Sequence, residues 1–157
     1  MGSSGNRDLV LNVLAGLGRA DCQVLAPVRS HLRQEDLETL PRNVHVTDWL
    51  PAHQLGDAVD LAITHGGEGT VQTSCVQGWP FIGIPLQFEQ RFNVQRCVAF
   101  GSARLVSQRE ARRADWAELV RQALADDGMR SRARRMAEFM EGLDGPGRAA
   151  EAICELL

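Results

Sequence analysis

The chain has 157 residues and a formal net charge of -3, from 17 Lys and Arg against 20 Asp and Glu. This length suits one domain, spanning residues 1–157, with a core of its own, and it is too short for two. A slightly acidic balance gives no general attraction to nucleic acid or to an acidic membrane. The arginines between residues 130 and 135 are flanked by acidic residues, which indicates a solvated helix face. We therefore expect neither nucleic acid nor a membrane as a partner.

The cysteines and the apolar runs indicate a cytoplasmic protein. Cys22, Cys75, Cys97 and Cys154 are far apart, lie in apolar surroundings and form no C-x-x-C pair. This distribution favours buried thiols in a reducing compartment over a disulfide framework or a zinc site. No apolar run is long enough to span a bilayer, and the first residues lack the basic start and apolar centre of a secretion signal.

The predicted elements begin with a helix. Apolar residues recur at helical spacing from Leu9 to Leu17, between Asn6 as a cap and Gly18 as a stop. Short apolar runs bounded by proline, glycine or polar residues then predict strands at 22–26, 44–46, 59–64, 81–84 and 103–106. Helical patterns predict a single turn at 52–55 and helices at 70–77, 88–100, 115–125, 129–143 and 149–157. The polar stretch 33–38 is left without an element.

This order of elements predicts the fold class. Alternating helices and strands with short connections indicate an α/β fold with a parallel, doubly wound sheet. The run 59–64 is almost continuously apolar, as expected of a parallel strand buried on both faces. Ligands of such sheets bind at the carboxyl ends of the strands, near the switch in strand order. Residues that follow a strand are therefore the first candidates for a site.

The stretch THGGEGT, residues 64–70, follows the run 59–64 and precedes a predicted helix. A glycine turn that opens a helix presents free N–H groups and the positive end of the helix dipole, which suits a phosphate or a diphosphate. His65 and Thr70 have polar side chains that would add donors. Alternatively, the glycines serve only a tight turn and His65 is an ordinary polar cap. The signatures G-x-x-x-x-G-K-[ST], G-x-G-x-x-G and G-x-S-x-G are all absent.

A longer stretch carries a family resemblance. Residues 46–99 contain, in order, an aromatic-Leu-Pro element at Trp49, a strand ending in H-G-G-x-G-T, a G-x-P-x-x-x-x-P turn and the acid-Gln pair Glu89-Gln90. This ordered set resembles the donor-binding half of nucleotide-sugar-dependent glycosyltransferases with the GT-B fold, in the UDP-glycosyltransferase superfamily and its antibiotic-tailoring relatives. The resemblance implies a Rossmann-like domain. It covers the whole chain as architecture, but its specific motifs occupy the central third.

The resemblance also implies roles for particular residues. Trp49 and Leu50, with His53 at the border, match the pocket of the nucleotide base, although a tryptophan alone is as readily explained by packing. His65, Gly67, Gly69 and Thr70 match the turn that holds the donor diphosphate. Glu89 and Gln90 match the pair that holds hydroxyls of the donor sugar. The implied donor-binding set is Trp49, Leu50, His65, Gly67, Gly69, Thr70, Thr73, Glu89 and Gln90.

Three departures from the family pattern bear on the ligand. Glu68 puts a carboxylate where the family often has a small or aromatic residue, which suits a diphosphate only if the side chain points to solvent. Thr73 stands where the superfamily commonly has a glutamate that binds the ribose hydroxyls, so we expect a weaker contact there. No D-x-D motif occurs. The resemblance therefore implies metal-independent transfer with no cofactor, the nucleoside diphosphate sugar being a substrate.

The resemblance also implies that parts of the family's fold are missing from this sequence. In the family, the acceptor site and the catalytic base belong to an amino-terminal domain, so no catalytic residue is expected here. The opening residues 1–5 resemble the turn after the first strand of the donor domain, so that strand is expected to be missing. An open sheet edge favours pairing with another chain. We therefore expect an acceptor-binding domain or subunit, or a second copy, as a partner.

Two functions follow from these observations. The first is the donor-binding domain or subunit of an inverting glycosyltransferase, which moves a hexose from a UDP- or TDP-sugar to an acceptor hydroxyl and is inactive when alone. The second is a binding or auxiliary module that pairs with another protein without catalysing transfer. A response-regulator-like or flavodoxin-like domain is disfavoured, because no acidic cluster follows a strand end.

Overall fold

Short apolar runs and strong helix boundaries give an alternation of strands and helices over residues 6–156, the part of the chain that the computed structural model describes. The strands are β1 (Val24–Ala26), β2 (Val44–Val46), β3 (Ala62–Thr64), β4 (Phe81–Gly83) and β5 (Ala103–Leu105). The helices are α1 (Arg7–Leu17), α2 (Gln34–Leu37), α3 (Glu68–Gln77), α4 (Phe88–Phe100), α5 (Gln108–Ala111), α6 (Trp116–Leu124), α7 (Asp127–Glu141) and α8 (Gly145–Cys154). Single 3-10 turns lie at Arg29–His31, Ala52–Gln54 and Gly56–Ala58. The turn predicted at residues 1–5 lies outside the described residues.

The helix boundaries follow from identifiable side chains. The Asn6 side chain accepts hydrogen bonds from the backbone N–H groups of Asp8 and Leu9, which starts α1 as predicted. At α7, Asp126 Oδ1 accepts from the N–H of Met129 at 2.9 Å. Gly101 ends α4 with a left-handed φ of 88°, so the predicted end of that helix is confirmed.

All strand pairs are parallel, but they form two separate sheets. β1 pairs with β2 in the register Val24 to Val44, while β4 lies between β3 and β5. The α/β class and the parallel pairing are thus confirmed. The division falls between β1 and β3, where one strand of a continuous sheet would stand. The run 59–64 is accordingly only half-buried at Leu61, Ala62 and Ile63, and its regular strand is limited to the last three residues.

Helix α1 connects the two sheets. Leu9 and Val13 belong to a core cluster with Ile82 of β4 and Trp116 of α6, which is completely buried. On the other side of the same helix, Val10 and Leu14 pack with Ala26, Val28 and Val44 around the two-stranded sheet. Because its apolar residues point to both clusters, α1 holds the two sheets in one molecule.

A third cluster fixes α4 against the sheet. Val94 is fully buried in it with Phe81 and Cys97. A Cβ atom at Gly83 would lie 2.5 Å from both methyl groups of Val94, so only glycine allows this close approach of α4 to β4. The packing places the first turn of α4 beside the turn that follows β3.

Several boundaries differ from the sequence predictions. α3 begins two residues before the predicted start, because Glu68 and Gly69 form its first turn. α2 and α5 were not predicted; each is a single turn of four residues, too short for a periodic pattern. α7 and α8 begin earlier than expected because Asp126 and Asp144 cap them.

The cysteines are only partly as predicted. All four are free thiols, and the sulfur atoms of Cys75 and Cys97 lie 4.0 Å apart between α3 and α4. Cys154 is exposed on α8, which contradicts its predicted burial: its helix packs only lightly on the rest of the chain, and all its side chains that can be described are exposed or half-exposed. Over residues 6–156, no helix combines the length and the apolar character needed to cross a membrane.

Candidate functional site

A cleft of about 390 Å³ lies at the carboxyl end of β3. One wall is the turn and first residues of α3, and the other is the segment that follows β2. Seven of the predicted donor-binding residues line this cleft: Trp49, Leu50, His65, Gly67, Gly69, Thr70 and Thr73. Because the two walls follow different strands, the carboxyl ends of both sheets meet at this place. This is where a doubly wound fold binds its ligands.

The turn after β3 is held rigidly by side-chain hydrogen bonds. Gly66 has a φ of +84°, which favours glycine, and its N–H donates to Thr64 Oγ1 at 3.2 Å. Asn93 of α4 donates from Nδ2 to the Gly66 carbonyl at 3.2 Å. A Cβ atom at Gly66 would lie 2.6 Å from a methyl group of Val94. Asn93 was missed by the sequence reasoning, since no local pattern marks an amide that supports a distant turn.

The start of α3 has no side-chain cap. The N-cap residue Gly67 has extended backbone angles but no side chain that accepts from the first amides of the helix. The N–H groups of Thr70 and Val71 donate to the Gly67 carbonyl at 3.1 and 3.0 Å. The first turn of this ten-residue helix therefore faces the cleft with its positive dipole end uncapped. Such an arrangement attracts an anion.

His65 adds a buried donor at the same place. The side chain is only 9% exposed, and its Nδ1 atom has no hydrogen-bond partner among the described residues. Burial lowers the pKa of His65 below its ordinary value of 6.5, and the negative charge of Glu89 opposes that shift. The imidazole is therefore neutral at neutral pH, and its buried Nδ1 atom has a hydrogen-bonding capacity that no described residue satisfies. An unpartnered buried nitrogen is costly unless a ligand or water satisfies it.

The two predicted threonines are engaged within the helix. Thr70 Oγ1 donates to the Gly67 carbonyl at 2.8 Å and accepts from Thr64 Oγ1 at 2.7 Å. Thr73 Oγ1 donates to the Gly69 carbonyl at 2.8 Å. Both hydroxyl protons point at the protein, so each residue now faces the cleft as an acceptor. Donation to a phosphate would need a rotation of the hydroxyl group.

Glu89 and Gln90 lie on α4 and do not line the cleft. Glu89 is exposed, but Gln90 is only 3% exposed. Gln90 Oε1 accepts from the N–H groups of Leu86 at 2.9 Å and of Gln87 at 3.2 Å. The oxygen predicted to face a sugar thus stabilises the start of α4. Without the fold, a sequence pattern cannot distinguish such a capping oxygen from one that binds a ligand.

Trp49 is 73% exposed, so the alternative of a tryptophan packed in the core is wrong. Its ring stands on the wall of the cleft opposite the turn, with the exposed His53 on the same wall. A largely exposed indole next to a polar turn is available for stacking with a planar ring. Among residues 6–156, no group of three or more His, Cys, Asp and Glu side chains is placed to hold a metal ion.

Comparisons with known proteins agree with this geometry. The model of the family described as erythromycin biosynthesis protein CIII-like, C-terminal domain, matches residues 11–156. A glycosyltransferase of PGL/p-HBAD biosynthesis from Mycobacterium tuberculosis is 30% identical over 140 residues, which is 88% of this chain and 32% of the relative. The oleandomycin glycosyltransferase of Streptomyces antibioticus is 34% identical over 122 residues, 75% of this chain and 27% of the relative. The chain thus spans about a third of the length of these curated relatives.

Solved structures show the same fold. The calicheamicin glycosyltransferase CalG4 superposes with a TM-score of 0.79 at 26% identity, over 92% of this chain and 38% of that protein. A spinosyn rhamnosyltransferase, SpnG, solved in complex with thymidine diphosphate, superposes with a TM-score of 0.78 at 19% identity, over 93% of this chain and 40% of that protein. The second likeness shows the fold alone. In each case the chain corresponds to one half of a GT-B glycosyltransferase.

Proposed function

The chain belongs to the family of erythromycin biosynthesis protein CIII-like C-terminal domains, and we propose that its cleft binds the nucleoside diphosphate of a sugar donor. The domain is the carboxyl-terminal part of a glycosyltransferase. The relatives and the fold favour this function over an auxiliary module without transfer. The donor is a UDP- or TDP-sugar, and the group transferred is a hexose.

The observation that carries the proposal is the combination of His65 with the uncapped start of α3. A diphosphate needs several donors around its oxygens and a positive potential to balance its charge. His65 Nδ1 is buried and unpartnered, and the first turn of α3 opens onto the same cleft. Because His65 is neutral in the free protein, the first attraction comes from one donated N–H and the helix dipole.

The other wall of the cleft suits the nucleoside. Trp49 offers an exposed indole face on which a base can stack, and Leu50 offers an apolar edge beside it. Thr73 lies in the same cleft, with its hydroxyl oxygen as an acceptor for one ribose hydroxyl. A single acceptor there fits a deoxyribose or a ribose held by one contact.

The chemical step requires groups from beyond this chain. In an inverting transfer, the acceptor oxygen forms a bond to the anomeric carbon while the bond from that carbon to the diphosphate breaks. The acceptor proton goes to a base in the acceptor-binding part, and the negative charge develops on the departing diphosphate. His65 and the first turn of α3 stabilise this leaving group, which makes the donor half metal-independent. Glu89 is exposed near the start of α4, where it can meet the sugar.

Calorimetric titration with TDP and UDP tests the proposal through Gly69. A Cβ atom at Gly69 meets nothing within 4 Å, so Gly69→Ala leaves the protein packing intact. Replacing a helical glycine by alanine stabilises a helix by up to about 1 kcal/mol. If a diphosphate approaches this backbone closely, Gly69→Ala weakens nucleotide affinity by about tenfold or more while thermal stability is kept or raised.

Gly145→Ala is the matched control. Gly145 also lies in the first turn of a helix, α8, and does not line the cleft. A Cβ atom at Gly145 would likewise meet nothing within 4 Å. The control should bind TDP with unchanged affinity. Equal affinities of TDP for the native chain and for Gly69→Ala would show that the diphosphate does not bind at this turn.

A further inference from the structure

A pair of cysteines lies between two helices of the fold, apart from the diphosphate cleft. Cys75 is near the end of α3 and Cys97 is near the end of α4, and their sulfur atoms are 4.0 Å apart. The cleft at the carboxyl end of β3 is lined by other residues. We propose that this pair, the dithiol site, is a redox modification site at which a peroxide forms a disulfide bond between α3 and α4.

The backbone around the dithiol site fixes where the two cysteines stand. α3 ends at Gly78 with a left-handed φ of 69°, and the N–H of Gly78 donates to the Cys75 carbonyl at 3.3 Å. α4 ends at Gly101, and the N–H groups of Gly101 and Ser102 donate to the Cys97 carbonyl at 2.9 and 3.0 Å. Each cysteine therefore lies about one turn before a glycine-capped helix end. The fold holds the two side chains together without a bond between them.

The apolar cluster against β4 holds the same pair from the side chains. Cys97 is only 5% exposed and packs with Phe81 and Val94, while the half-buried Cys75 packs on the edge of this cluster. A disulfide has its sulfur atoms about 2.05 Å apart and its Cβ atoms about 3.5–4.5 Å apart. The sulfur atoms here are thus about 2 Å too far apart for a bond. Rotation of the two side chains about their Cα–Cβ bonds closes a gap of this size while the helices stay in contact.

The contact between the two thiols favours a thiolate at Cys97. A hydrogen bond from Cys75 lowers the pKa of Cys97, burial opposes that shift, and a hydrogen bond from Ser102 lowers the pKa further. The same contact raises the pKa of Cys75, and burial raises it as well. Cys97 is therefore the nucleophile of the pair, and Cys75 is the thiol that resolves the intermediate.

The reaction balances with hydrogen peroxide as the oxidant. The Cys97 thiolate attacks one peroxide oxygen and the O–O bond breaks, which gives a sulfenic acid and, with the proton that Cys97 had released, one water. The Cys75 sulfur then attacks the sulfenic sulfur, loses its proton, and a second water leaves with the sulfenic oxygen. The two thiols together lose two electrons and two protons. Because Cys75 is only half-buried, the site is not sealed from a molecule as small as peroxide.

The two other cysteines provide the internal reference. Cys22 is half-buried like Cys75 and packs against the cluster of Leu9 and Ile82, where burial raises its pKa. It therefore reports how fast an ordinary shielded thiol of this chain is oxidised. Cys154 is exposed on α8 and would join two chains through an intermolecular disulfide. The Cys154→Ser variant removes that side reaction.

The experiment treats the folded Cys154→Ser chain with excess hydrogen peroxide and maps the thiols by peptide mass after digestion without reductant. We expect a linked pair of peptides containing Cys75 and Cys97, formed at least about tenfold faster than Cys22 is oxidised. The bond joins residues 22 positions apart, so the thermal midpoint should rise by about 5 °C or more, and a dithiol reductant should reverse the rise. Oxidation of Cys22 at the same rate, or a bridge that forms only in urea, overturns the proposal. A bridge that lowers the thermal midpoint overturns it as well, because the site then strains the fold.

Substitution of one thiol at a time tests the assigned roles. Cys75→Ala removes the resolving thiol, so a sulfenic acid should accumulate at Cys97 and be trapped there by dimedone. Cys97→Ala is the matched variant and should give no such adduct at Cys75. Equal adducts in the two folded variants contradict the assignment of Cys97 as the nucleophile. The linked peptides of the Cys154→Ser chain decide the question where either alanine variant fails to fold, and none of these readouts depends on the proposed function.

Discussion

Helices α3 and α7 begin in opposite ways. At α7, Asp126 Oδ1 accepts from the N–H of Met129 at 2.9 Å, and its other oxygen accepts from Arg104 at 3.0 Å. At α3, Gly67 offers no side chain, and the buried Nδ1 of neighbouring His65 has no partner among the described residues. The first arrangement stabilises the fold with groups of the protein itself. The second leaves donors and a dipole unsatisfied, as expected of a helix start that serves an anion from outside.

Removal of the His65 ring should cause the largest loss of nucleotide affinity at the start of α3. His65→Ala should weaken TDP affinity by about 10- to 100-fold, since a hydrogen bond to a charged group contributes about 1.5–3 kcal/mol. Calorimetric titration measures it. His45→Ala is the control, because His45 is an exposed histidine of β2 whose ring pairs with Gln23 away from the cleft. A similar loss in both variants would mean that the effect is not local to α3.

Loss of the cap at α7 should change stability and not binding. Asp126→Ala removes an acceptor at the N-cap, which costs about 1 kcal/mol of the free energy of unfolding. Asp126→Asn keeps a capping oxygen and should cost less. Denaturant unfolding measures both, with TDP titration as a check. A drop in nucleotide affinity for Asp126→Ala in a folded chain would show that the two helix starts are not independent.

Neutralisation of Glu68 should strengthen nucleotide binding, and this effect is smaller than the loss expected from removing the His65 ring. The carboxylate of Glu68 lies exposed in the first turn of α3, where it stabilises the empty helix dipole and repels a diphosphate. Glu68→Gln should strengthen TDP binding by about two- to fivefold, corresponding to about 0.4–1 kcal/mol. The gain should shrink at high salt. Glu138→Gln, an exposed change within α7, should leave the affinity unchanged.

A modest pH dependence should accompany binding. Burial keeps the pKa of His65 below 6.5 in the free protein, and a bound diphosphate raises that pKa again. Protons are therefore taken up on binding, and TDP affinity should rise as pH falls from about 8 to about 6. The nucleotide titrates in the same range, so the slope is read as the difference between the native chain and His65→Gln. Identical slopes would exclude His65 as the coupled group.

Local chemistry explains what the sequence predicts well. α4 has its predicted bounds because Gly101 stops it and Pro85 lies just before it. The turn at residues 64–70 assembles as expected because its glycines, His65 and Thr70 are neighbours in the chain. Trp49 joins the same cleft from the segment after β2, which only the family resemblance indicates. Short-range patterns therefore predict most elements and one wall of the site.

Long-range chemistry explains what the sequence does not predict. The side-chain oxygen of Gln90 accepts hydrogen bonds from the N–H groups of Leu86 and Gln87. Asn93 of α4 donates a hydrogen bond to the turn at Gly66. Neither contact produces a residue spacing that could be recognised in the sequence. The split between β1 and β3 is a property of strand order, and the apolar run 59–64 predicts a strand without predicting its neighbours.

The packing around Val94 also constrains how this sequence can change. The Cβ atoms that Gly66 and Gly83 lack would occupy the space of its two methyl groups. These three positions are therefore epistatic: alanine at 83 is harmful beside valine and is tolerated better once residue 94 is smaller. A substitution path that enlarges residue 83 must change residue 94 first. Because the φ of +84° at Gly66 excludes other side chains for a separate reason, that position stays closed along every such path.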